Sequence, residues 1–351
     1  MSSGILRTVS PVDGAVVVER ALHGVADIDR VLVAAGKAQL VWAGRSLEER
    51  KAAVGRFLDC LVGWRDELAR EITLQMGRPI GQTPGEVRGL EERGRTMVEL
   101  ASSALAPHVP SPKEGFSRKI VREPLGVVAI IAPWNYPYLT SINTLVPALL
   151  AGNAVVVKHS HQTPLCAERY SRAALESGLP DGLVQHLHLD HAGGAVTRAL
   201  AGRFIGTTLE LGGKDPAYVR EDADLAHAVE NLVDGAFFNS GQSCCGVERI
   251  YVHRSRFDAF VEGFVELTRK YRLGNPLEEG VNLGPMVRGR SADLVREHIA
   301  EAVSRGAEAL VDAGGFPADG GVSSAYLAPQ VLVGVDHGMR VMREESFGPV
   351  E

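Results

Sequence analysis

Two adjacent cysteines, Cys244 and Cys245, follow a glycine-containing turn and precede an apolar run at 250–252 that predicts a strand. A thiol attacks a substrate as the thiolate, and an accessible, electropositive setting such as a helix N-terminus favours that form. The turn with Gly241 and Gln242 could supply such a setting. The alternative is structural, because an unmodified cysteine often behaves as a small buried hydrophobe. The cysteine pair alone does not decide between a nucleophile and a core residue.

Two other polar side chains could take part in the same chemistry. Glu210 is flanked by Leu209 and Leu211, and this apolar setting would favour proton uptake by its carboxylate, as a general base requires. The same residue could be a solvated carboxylate at the end of a strand. Asn135 carries an amide that could donate to an oxyanion, although asparagine also suits a turn before Tyr-Pro.

Together, these amide, carboxylate and thiol motifs resemble those of the aldehyde dehydrogenase superfamily. The resemblance runs from about Ser10 to the last residue, through five motifs in the family's order. It implies that Cys244 is the nucleophile. It also implies that Asn135 donates to the oxyanion together with the backbone N–H of Cys244, and that Glu210 activates the hydrolytic water.

The resemblance implies NAD(P)-dependent oxidation of an aldehyde to a carboxylic acid. The thiolate adds to the carbonyl carbon, hydride leaves to the nicotinamide, and water cleaves the remaining thioester. On this interpretation Cys245 is a neighbour without a catalytic role. Cys166, inside a predicted helix, is a core residue.

The resemblance also implies a dinucleotide cofactor, NAD or NADP. Lys158 matches the residue that contacts the adenosine ribose, although a lysine at a strand end is more often simply solvated. Glu345 and Phe347 match the pair that holds the nicotinamide ribose and ring, and Trp134 lies at the same predicted edge. His161 stands where the family commonly has an acidic or small residue. An acidic residue there would repel the 2′-phosphate of NADP, and His161 provides no such repulsion. The preference for NAD over NADP is therefore only weak.

Three aromatic residues are candidate walls of the substrate pocket: Tyr136, Tyr138 and Phe238. They suggest an aldehyde with an apolar or aromatic group, and each could equally pack in a core. No arginine is placed convincingly to bind a substrate carboxylate. No metal site is predicted.

The elements that must position these residues follow an α/β pattern. Continuous apolar runs, which are typical of strands buried on both faces of a parallel sheet, alternate with helical segments. The pattern predicts strands at 127–131, 154–157 and 184–189, and helices at 138–151 and 164–178. Such alternation gives a doubly wound, Rossmann-type sheet whose ligands lie beyond the carboxyl ends of the strands. Residues 133–135 and 158–161 fall at that edge.

The sequence predicts an aldehyde dehydrogenase-like fold of two domains. Residues 1–209 form the NAD(P)-binding domain and residues 210–351 form the catalytic thiol domain. Alternation at 117–122 predicts an exposed strand, part of a small bridging β segment around 117–124 used for oligomerisation in the family. Further helices are predicted at 26–47, 47–76, 84–105, 193–200, 222–236, 256–272 and 290–305, and a strand broken by proline at 326–335.

The sequence departs from the family in two places. The strand and Ser-containing turn that precede the helix at 193–200 are missing, and family members continue well past the Phe-Gly-Pro motif near Glu351. The catalytic domain is therefore predicted to be incomplete. Two alternatives stay open: a catalytically impaired family member acting as a binding or scaffold subunit, and a CoA-acylating enzyme. Glu210 argues against the second, because hydrolysis is the step that needs this base.

Composition limits the other possibilities. The 351 residues, 45% of them hydrophobic, are enough for two cores. A net charge of −6 gives no indication of nucleic acid or an anionic membrane as partner. Four cysteines, two of them adjacent, do not make a disulfide framework, which favours a cytoplasmic location. The expected partner is a small aldehyde, and a complete native chain is expected to form a homodimer or tetramer.

Overall fold

The computed structural model describes residues 4–190, 193–322 and 324–351. The chain divides into two compact units. The first contains Met1–Thr8, Val16–Glu71 and Pro84–Arg203, and the second contains Val9–Ala15, Ile72–Thr83 and Phe204–Glu351. The second unit thus includes two segments from the N-terminal half of the chain. The predicted division into residues 1–209 and 210–351 did not include such an exchange of segments.

The first unit is built from five strands and the helices between them. The strands are β1 (Ile5–Val9), β2 (Val16–Ala21), β3 (Val127–Ala132), β4 (Ala154–His159) and β5 (Val184–His186). The helices are α1 (Val25–Ala43), α2 (Leu47–Gly63), α3 (Arg65–Met76), α4 (Thr83–Ala104), α5 (Pro137–Leu150), α6 (Pro164–Glu176) and α7 (Gly193–Leu200). The single helix predicted at 47–76 is two helices. The break lies at Trp64, whose φ of −99° and ψ of 16° are not helical, and Gly63 before it favours the break.

The main sheet of the first unit is parallel, in the order β3-β4-β5. Val155, Val156 and Val157 in β4 are all buried. Because successive side chains of a strand point to opposite faces, both faces of the sheet are covered. Helices α5 and α6 contact each other through Tyr138 and Tyr170, and both pack on the sheet, whereas α1 packs against all three strands. The predicted parallel α/β organisation is confirmed.

The third strand is shorter than predicted. The N–H of Leu187 still donates to Val157 O at 3.0 Å, but the carbonyl of His188 accepts from the N–H of His23 at 2.8 Å. The pairing therefore leaves β4 at this point. Among the described residues no further strand continues the sheet beyond β5, as expected for a chain that lacks the family's next strand and turn.

The predicted exposed strand at 117–122 is wrong as a regular element. The segment contains only isolated bridges, His108 with Ile120 and Lys113 with Phe116. A ladder needs a neighbouring segment, and the described part of the chain supplies only these single contacts. Apolar side chains consequently stay exposed here, with Ile120 at 61% and Leu125 at 87%.

The second unit also combines helices with short strands. It contains β6 (Asp215–Val219), α8 (Leu225–Phe237), β7 (Val247–Val252), α9 (Phe257–Thr268), α10 (Gly289–Ser304), β8 (Glu308–Ala309) and β9 (Leu332–Val333). Strands β6 and β7 are parallel, whereas β8 and β9 are antiparallel. The strand predicted at 326–335 is reduced to β9, because Pro329 has no N–H to give to a ladder.

Helix α8 carries the chain into the thiol segment. It begins after Asp224, whose carboxylate accepts from the N–H of His227 at 3.1 Å and caps the helix. Its last residue, Phe237, is fully buried, and its ring packs 5.9 Å from that of Phe264 in α9. Packing in the core of this unit therefore fixes the position of Phe237, after which the thiol segment begins. No helix in the described part of the chain has the length and apolar character needed to cross a membrane.

Candidate functional site

The thiol segment starts with an unusual backbone turn. Asn239 and Ser240 have φ values of 55° and 57°, and Gly241 follows with φ 69°. Residues other than glycine adopt this left-handed region at a cost of about 1–2 kcal/mol each. At Gly241 glycine is required for a second reason, because a Cβ there would collide with the carbonyl of Gly348. The turn must therefore be held by other contacts.

Side-chain hydrogen bonds hold this turn. The Asn239 amide donates to Gln242 O at 3.1 Å, and the Gln242 amide donates back to Asn239 O at 3.1 Å. The Gln242 side-chain oxygen accepts from Val287 N at 2.8 Å. From another segment, Arg78 Nε donates to the Asn239 side-chain oxygen at 3.0 Å. Gln242, noted in the sequence only as part of the motif, thus stabilises the turn through its side chain.

Cys244 and Cys245 come directly after this turn, and both are exposed and free of disulfides. The strand predicted at 250–252 after the cysteines is confirmed, and it forms the second half of β7. Partial burial, followed by Cys245 and then Glu210, raises the pKa of the Cys244 thiol above its ordinary value of 9.0.

Glu210 belongs to the same unit as the thiol. Its negative charge is the smallest of the effects that raise the pKa of Cys244. The apolar shield expected around Glu210 is wrong: Leu209 is 54% and Leu211 is 83% exposed. The segment has no helix or strand before β6, so nothing turns these leucines toward the carboxylate.

The thiol's surroundings predict the pH dependence of its reactivity. The rate of Cys244 alkylation by iodoacetamide should rise with a pKa above 9.0, because the groups around it disfavour the thiolate. Glu210→Gln removes one negative charge and should lower this pKa. Peptide mass spectrometry across a pH series measures it, with exposed Glu262→Gln as the matched control. A wild-type alkylation pKa well below 9.0 would contradict the prediction.

A buried ion pair organises the segment that carries Glu345 and Phe347. Lys214 Nζ lies 2.7 Å from a carboxylate oxygen of Glu248, and these side chains are 7% and 4% exposed. The Glu248 carboxylate also accepts from the N–H groups of Ser346 and Phe347, each at 2.9 Å. Phe347 has a φ of 51°, a strained value that these bonds stabilise.

Glu345 is held by the glycines that precede Lys214. Its carboxylate accepts from Gly213 N at 3.2 Å. Gly212 has a φ of 88°, and a Cβ there would collide with the Glu345 carboxylate. Burial raises the pKa of Glu345 above its ordinary value. The structure thus brings the Gly-Gly-Lys segment and the Glu345 segment together in the second unit.

In the first unit, Asn135 lies between β3 and α5. It is 5% exposed, whereas Trp134 and Tyr136 are partly exposed. The N-terminus of α5 is held by Glu86, whose carboxylate accepts from the N–H groups of Tyr138 and Leu139 at 2.9 and 3.1 Å. This bond fixes the turn that carries Asn135, since free N–H groups at a helix start need acceptors.

The predicted role of Tyr138 as a pocket wall is wrong. Its side chain is fully buried, and its ring packs edge-on against that of Tyr170 with 5.5 Å between centroids. Tyr138 points into the core because it belongs to the inner face of α5. Phe238, in contrast, is partly exposed at the start of the thiol turn.

His159 joins the end of β4 to the start of α5. It is 4% exposed, and its Nδ1 accepts from Ser160 N at 3.1 Å. The proton therefore resides on Nε2, which donates to Pro137 O at 3.2 Å. Burial lowers the pKa of His159 to about 4. A neutral imidazole thus ties together the two turns that carry Asn135 and Lys158.

This burial predicts acid sensitivity. An unfolded His159 takes up a proton as the pH falls below its ordinary pKa of 6.5, whereas the folded residue resists until about 4. Stability is therefore fully present above pH 6.5 and is lost toward pH 4, by on the order of 3 kcal/mol. His159→Gln should flatten the pH dependence of urea unfolding over this interval, and the exposed His227→Gln should not. An unchanged slope in the His159 variant would refute this role.

Two of the predicted cofactor residues, Lys158 and His161, lie at the carboxyl end of β4 and directly after it. Burial lowers the pKa of Lys158, and the Asp190 carboxylate partly opposes this shift. The Lys158 ammonium has no hydrogen bond or ion pair to any residue that the structure describes. His161 Nε2 lies 2.6 Å from Leu189 O, so its ring is directed toward the chain after β5.

The candidate residues are divided between the two units. Asn135, Trp134, Tyr136, Lys158 and His161 belong to the first, and Cys244, Glu210, Phe238, Glu345 and Phe347 to the second. Within the second unit the structure places Glu345 beside Gly213. Sequence reasoning missed the buried polar residues behind these groups: Arg78, Glu86, His159, Lys214 and Glu248. Lys214 and Glu248 stand next to predicted motifs, which was the available signal.

Comparison with known proteins identifies the class. The sequence profile of the Aldehyde dehydrogenase family matches residues 2–197 and 190–351, in two overlapping pieces. Glutarate-semialdehyde dehydrogenase of Pseudomonas putida is 31% identical over 370 residues, covering 98% of this chain and 75% of that protein. 3,6-Anhydro-alpha-L-galactose dehydrogenase of Streptomyces coelicolor is 34% identical over 372 residues, with 99% and 75% covered. The chain belongs to the aldehyde dehydrogenase family.

Solved structures agree with this assignment. An NAD-dependent aldehyde dehydrogenase from Sinorhizobium meliloti superposes with a TM-score of 0.91 at 30% identity, covering 99% of this chain and 74% of that one. An NADP-dependent enzyme of E. coli gives a TM-score of 0.92 at 28% identity, with 99% and 76% covered. The predicted fold class is confirmed, and the protein is an aldehyde dehydrogenase that uses a nicotinamide dinucleotide. The relatives do not decide between NAD and NADP.

The first unit has a group that fits such a cofactor. Lys158 lies at the carboxyl end of β4, and its partly buried ammonium has no hydrogen-bond or ion-pair partner in the described chain. Polar groups that are drawn out of water normally find a partner, so an unpaired one at the carboxyl edge of a parallel sheet is suited to a ligand hydroxyl or phosphate.

Proposed function

We propose that this chain oxidises small aldehydes to carboxylic acids through Cys244. The observation that carries the proposal is an exposed thiol on a turn that buried hydrogen bonds hold in place. Preorganised geometry of this kind is what covalent catalysis requires. The first unit serves as the NAD(P)-binding domain and the second as the thiol domain.

Glu210 has two roles in the proposed reaction. The pKa of Cys244 is raised, so a base must accept the thiol proton as the sulfur attacks the carbonyl carbon. We assign this role to Glu210, which then releases the proton to solvent. Once the hydride has left, an acyl thioester remains on the sulfur, and the ionised Glu210 carboxylate accepts a proton from the water that cleaves it. The carboxylic acid leaves, and this proton passes to the sulfur and restores the thiol.

Asn135 and the backbone N–H of Cys244 stabilise the oxyanion in this proposal. The turn that carries Asn135 is fixed by the bonds of Glu86 to the start of α5, which supports a preorganised donor. Trp134, Tyr136 and Phe238 are partly exposed and available for substrate contact. They favour aldehydes with an apolar or aromatic group.

For the cofactor we assign Lys158, His161 and Trp134 to the adenosine side and Glu345 and Phe347 to the nicotinamide ribose and ring. A bound nicotinamide dinucleotide supplies the hydride acceptor. NAD is preferred over NADP, which is supported by the carboxylate of Asp190 near Lys158, because a negative charge there opposes a 2′-phosphate.

We also propose that the chain acts as a homodimer or tetramer in the cytoplasm. Exposed apolar side chains at Val109, Phe116, Ile120 and Leu125 support self-association. The free cysteines support a reducing compartment. Sedimentation velocity of the purified chain tests the oligomeric state.

One assay tests the proposed function. The purified chain is mixed with aliphatic, aromatic and carboxylate-bearing aldehydes and with either nucleotide, and the reduced nicotinamide and the carboxylic acid are both quantified. We expect equal amounts of the two products, with kcat/KM higher for NAD and for apolar aldehydes. Acyl-CoA formation on addition of CoA, or an absence of reduction with every aldehyde, would contradict the proposal.

A further inference from the structure

Arg78 is a buried arginine in the second unit, with only 2% of its surface exposed. Arginine is almost never buried to this extent unless its guanidinium is paired. In the sequence it stands between two predicted helices, where Gly77 and Pro79 indicate only a break. In the fold, however, the segment with Arg78 belongs to the unit that contains the thiol.

The guanidinium reaches the turn before Cys244. Arg78 Nε donates to the side-chain oxygen of Asn239 at 3.0 Å, across 161 positions of sequence. Asn239 is itself 1% exposed. A hydrogen bond from a charged donor between two buried groups is stronger than a neutral one, and leaving either partner unpaired is costly.

The bond acts where the backbone is most strained. Asn239 has a φ of 55°, and the two residues after it are also left-handed. With its oxygen held by Arg78, the Asn239 amide donates to Gln242 O, and Ser243 N donates to Gly241 O at 2.9 Å. These contacts continue to the residue immediately before Cys244.

Arg78 is well suited to act as a rigid support. Gly77 has a φ of 88°, and a Cβ there would lie 2.8 Å from a Pro285 side-chain carbon and 3.0 Å from one of Pro11. The backbone before the arginine is thus packed too closely to shift. Ser240 adds a second tie to the same region through its hydroxyl, which donates to Gly284 O at 2.8 Å.

We propose that Arg78 is a positioning residue for the Cys244 thiol. By holding the Asn239 carboxamide, it keeps the left-handed turn in the arrangement that exposes the sulfur. Because Arg78 is itself buried, it acts through Asn239 and not by direct contact with a substrate. The inference rests on the proposed role of Cys244.

The test compares Arg78→Ala and Arg78→Lys with Arg296→Met as the matched control. Arg296 is a partly buried arginine of this unit with a side chain 19% exposed, and it donates to the carbonyls of Ser324 and Tyr326 instead. We expect Arg78→Ala to lower kcat by about 10–100-fold with little change in KM, as for lost preorganisation. Arg78→Lys, which keeps one charged donor, should recover part of kcat. Arg296→Met should lose stability but keep kcat.

A second readout needs no substrate. Alkylation of Cys244 across pH, measured relative to Cys60, reports the surroundings of the thiol. In Arg78→Ala the alkylation pKa of Cys244 should fall toward 9.0, because the thiol leaves the partly buried position that raises it. An unchanged profile in folded protein overturns the proposal. If the profile shifts while Cys244→Ala keeps full activity, the positioning role stands and the proposed function fails.

Asn239→Gly covers the case in which Arg78→Ala does not fold. Glycine adopts the left-handed conformation without strain but offers no oxygen to the guanidinium. We expect this variant to shift the alkylation profile in the same direction, and Arg78→Ala added to it to have little further effect. Full additivity of the two changes would show that they do not act through one bond and would overturn the proposal.

Discussion

Cys244→Ala protein should form no detectable reduced nucleotide from any aldehyde, a loss on the order of 10³-fold or more in kcat. The sulfur provides the bond through which the aldehyde becomes a hydride donor, and no other group in the turn can replace it. Alanine is smaller and the position is exposed, so the fold should be unaffected. Steady-state assays with the best aldehyde and NAD measure the loss.

Cys245→Ala is the matched control for this variant. It is the adjacent residue, it is also exposed, and its replacement should keep kcat within a few-fold of the wild type. Removal of the neighbouring thiol should slightly lower the pKa of Cys244, since Cys245 contributes to its increase. If Cys245→Ala were inactive and Cys244→Ala active, the nucleophile would be assigned to the wrong sulfur.

The second large effect concerns stability. Lys214→Met should lower the free energy of unfolding by about 3–5 kcal/mol, because it leaves the Glu248 carboxylate buried without its countercharge. The same carboxylate holds the N–H groups of Ser346 and Phe347, so the segment with Glu345 and Phe347 should loosen as well. Urea unfolding measures the first consequence and the KM for nucleotide measures the second.

Lys270→Met is the control for the ion pair. Lys270 pairs with Glu266 at the same 2.7 Å, but these side chains are 62% and 69% exposed. Exposed pairs contribute about 0–1 kcal/mol, so this variant should be close to the wild type. Lys214→Met combined with Glu248→Gln should recover part of the loss, since no unpaired charge remains. Equal effects of Lys214→Met and Lys270→Met would contradict the account of the buried pair.

The sequence was sufficient to predict the elements whose buried residues form a pattern over a short stretch of chain. β4 is apolar at every inner position, and α6 begins with proline and is followed by glycine, so both appear close to their predicted bounds. Even in α6 the interaction at the N-cap is not the usual one. The Thr163 hydroxyl bonds to His159 and not to an N–H of the helix. Side-chain partners are set by the tertiary structure, which a local pattern does not contain.

The same limit explains the errors at the site. Arg78 and Asn239 are 161 positions apart, and their bond depends on how the second unit folds. The two leucines next to Glu210 predicted an apolar environment. Residues that are adjacent in sequence, however, do not have to pack around the carboxylate, and both leucines are exposed. The strand after the thiol was predicted correctly, because the apolar run at 250–252 that pairs with β6 is itself a local pattern.

Trapping the covalent intermediate tests the role of Cys244 most directly. Glu210→Gln protein is mixed with an aldehyde and NAD, quenched in acid and analysed by peptide mass spectrometry. Because this variant lacks the base for hydrolysis, we predict that the Cys244 peptide gains the mass of the aldehyde less two hydrogen atoms, matched by one reduced nucleotide per chain. Reduced nucleotide with an unmodified Cys244 peptide, or an acyl group on another residue, would contradict the mechanism.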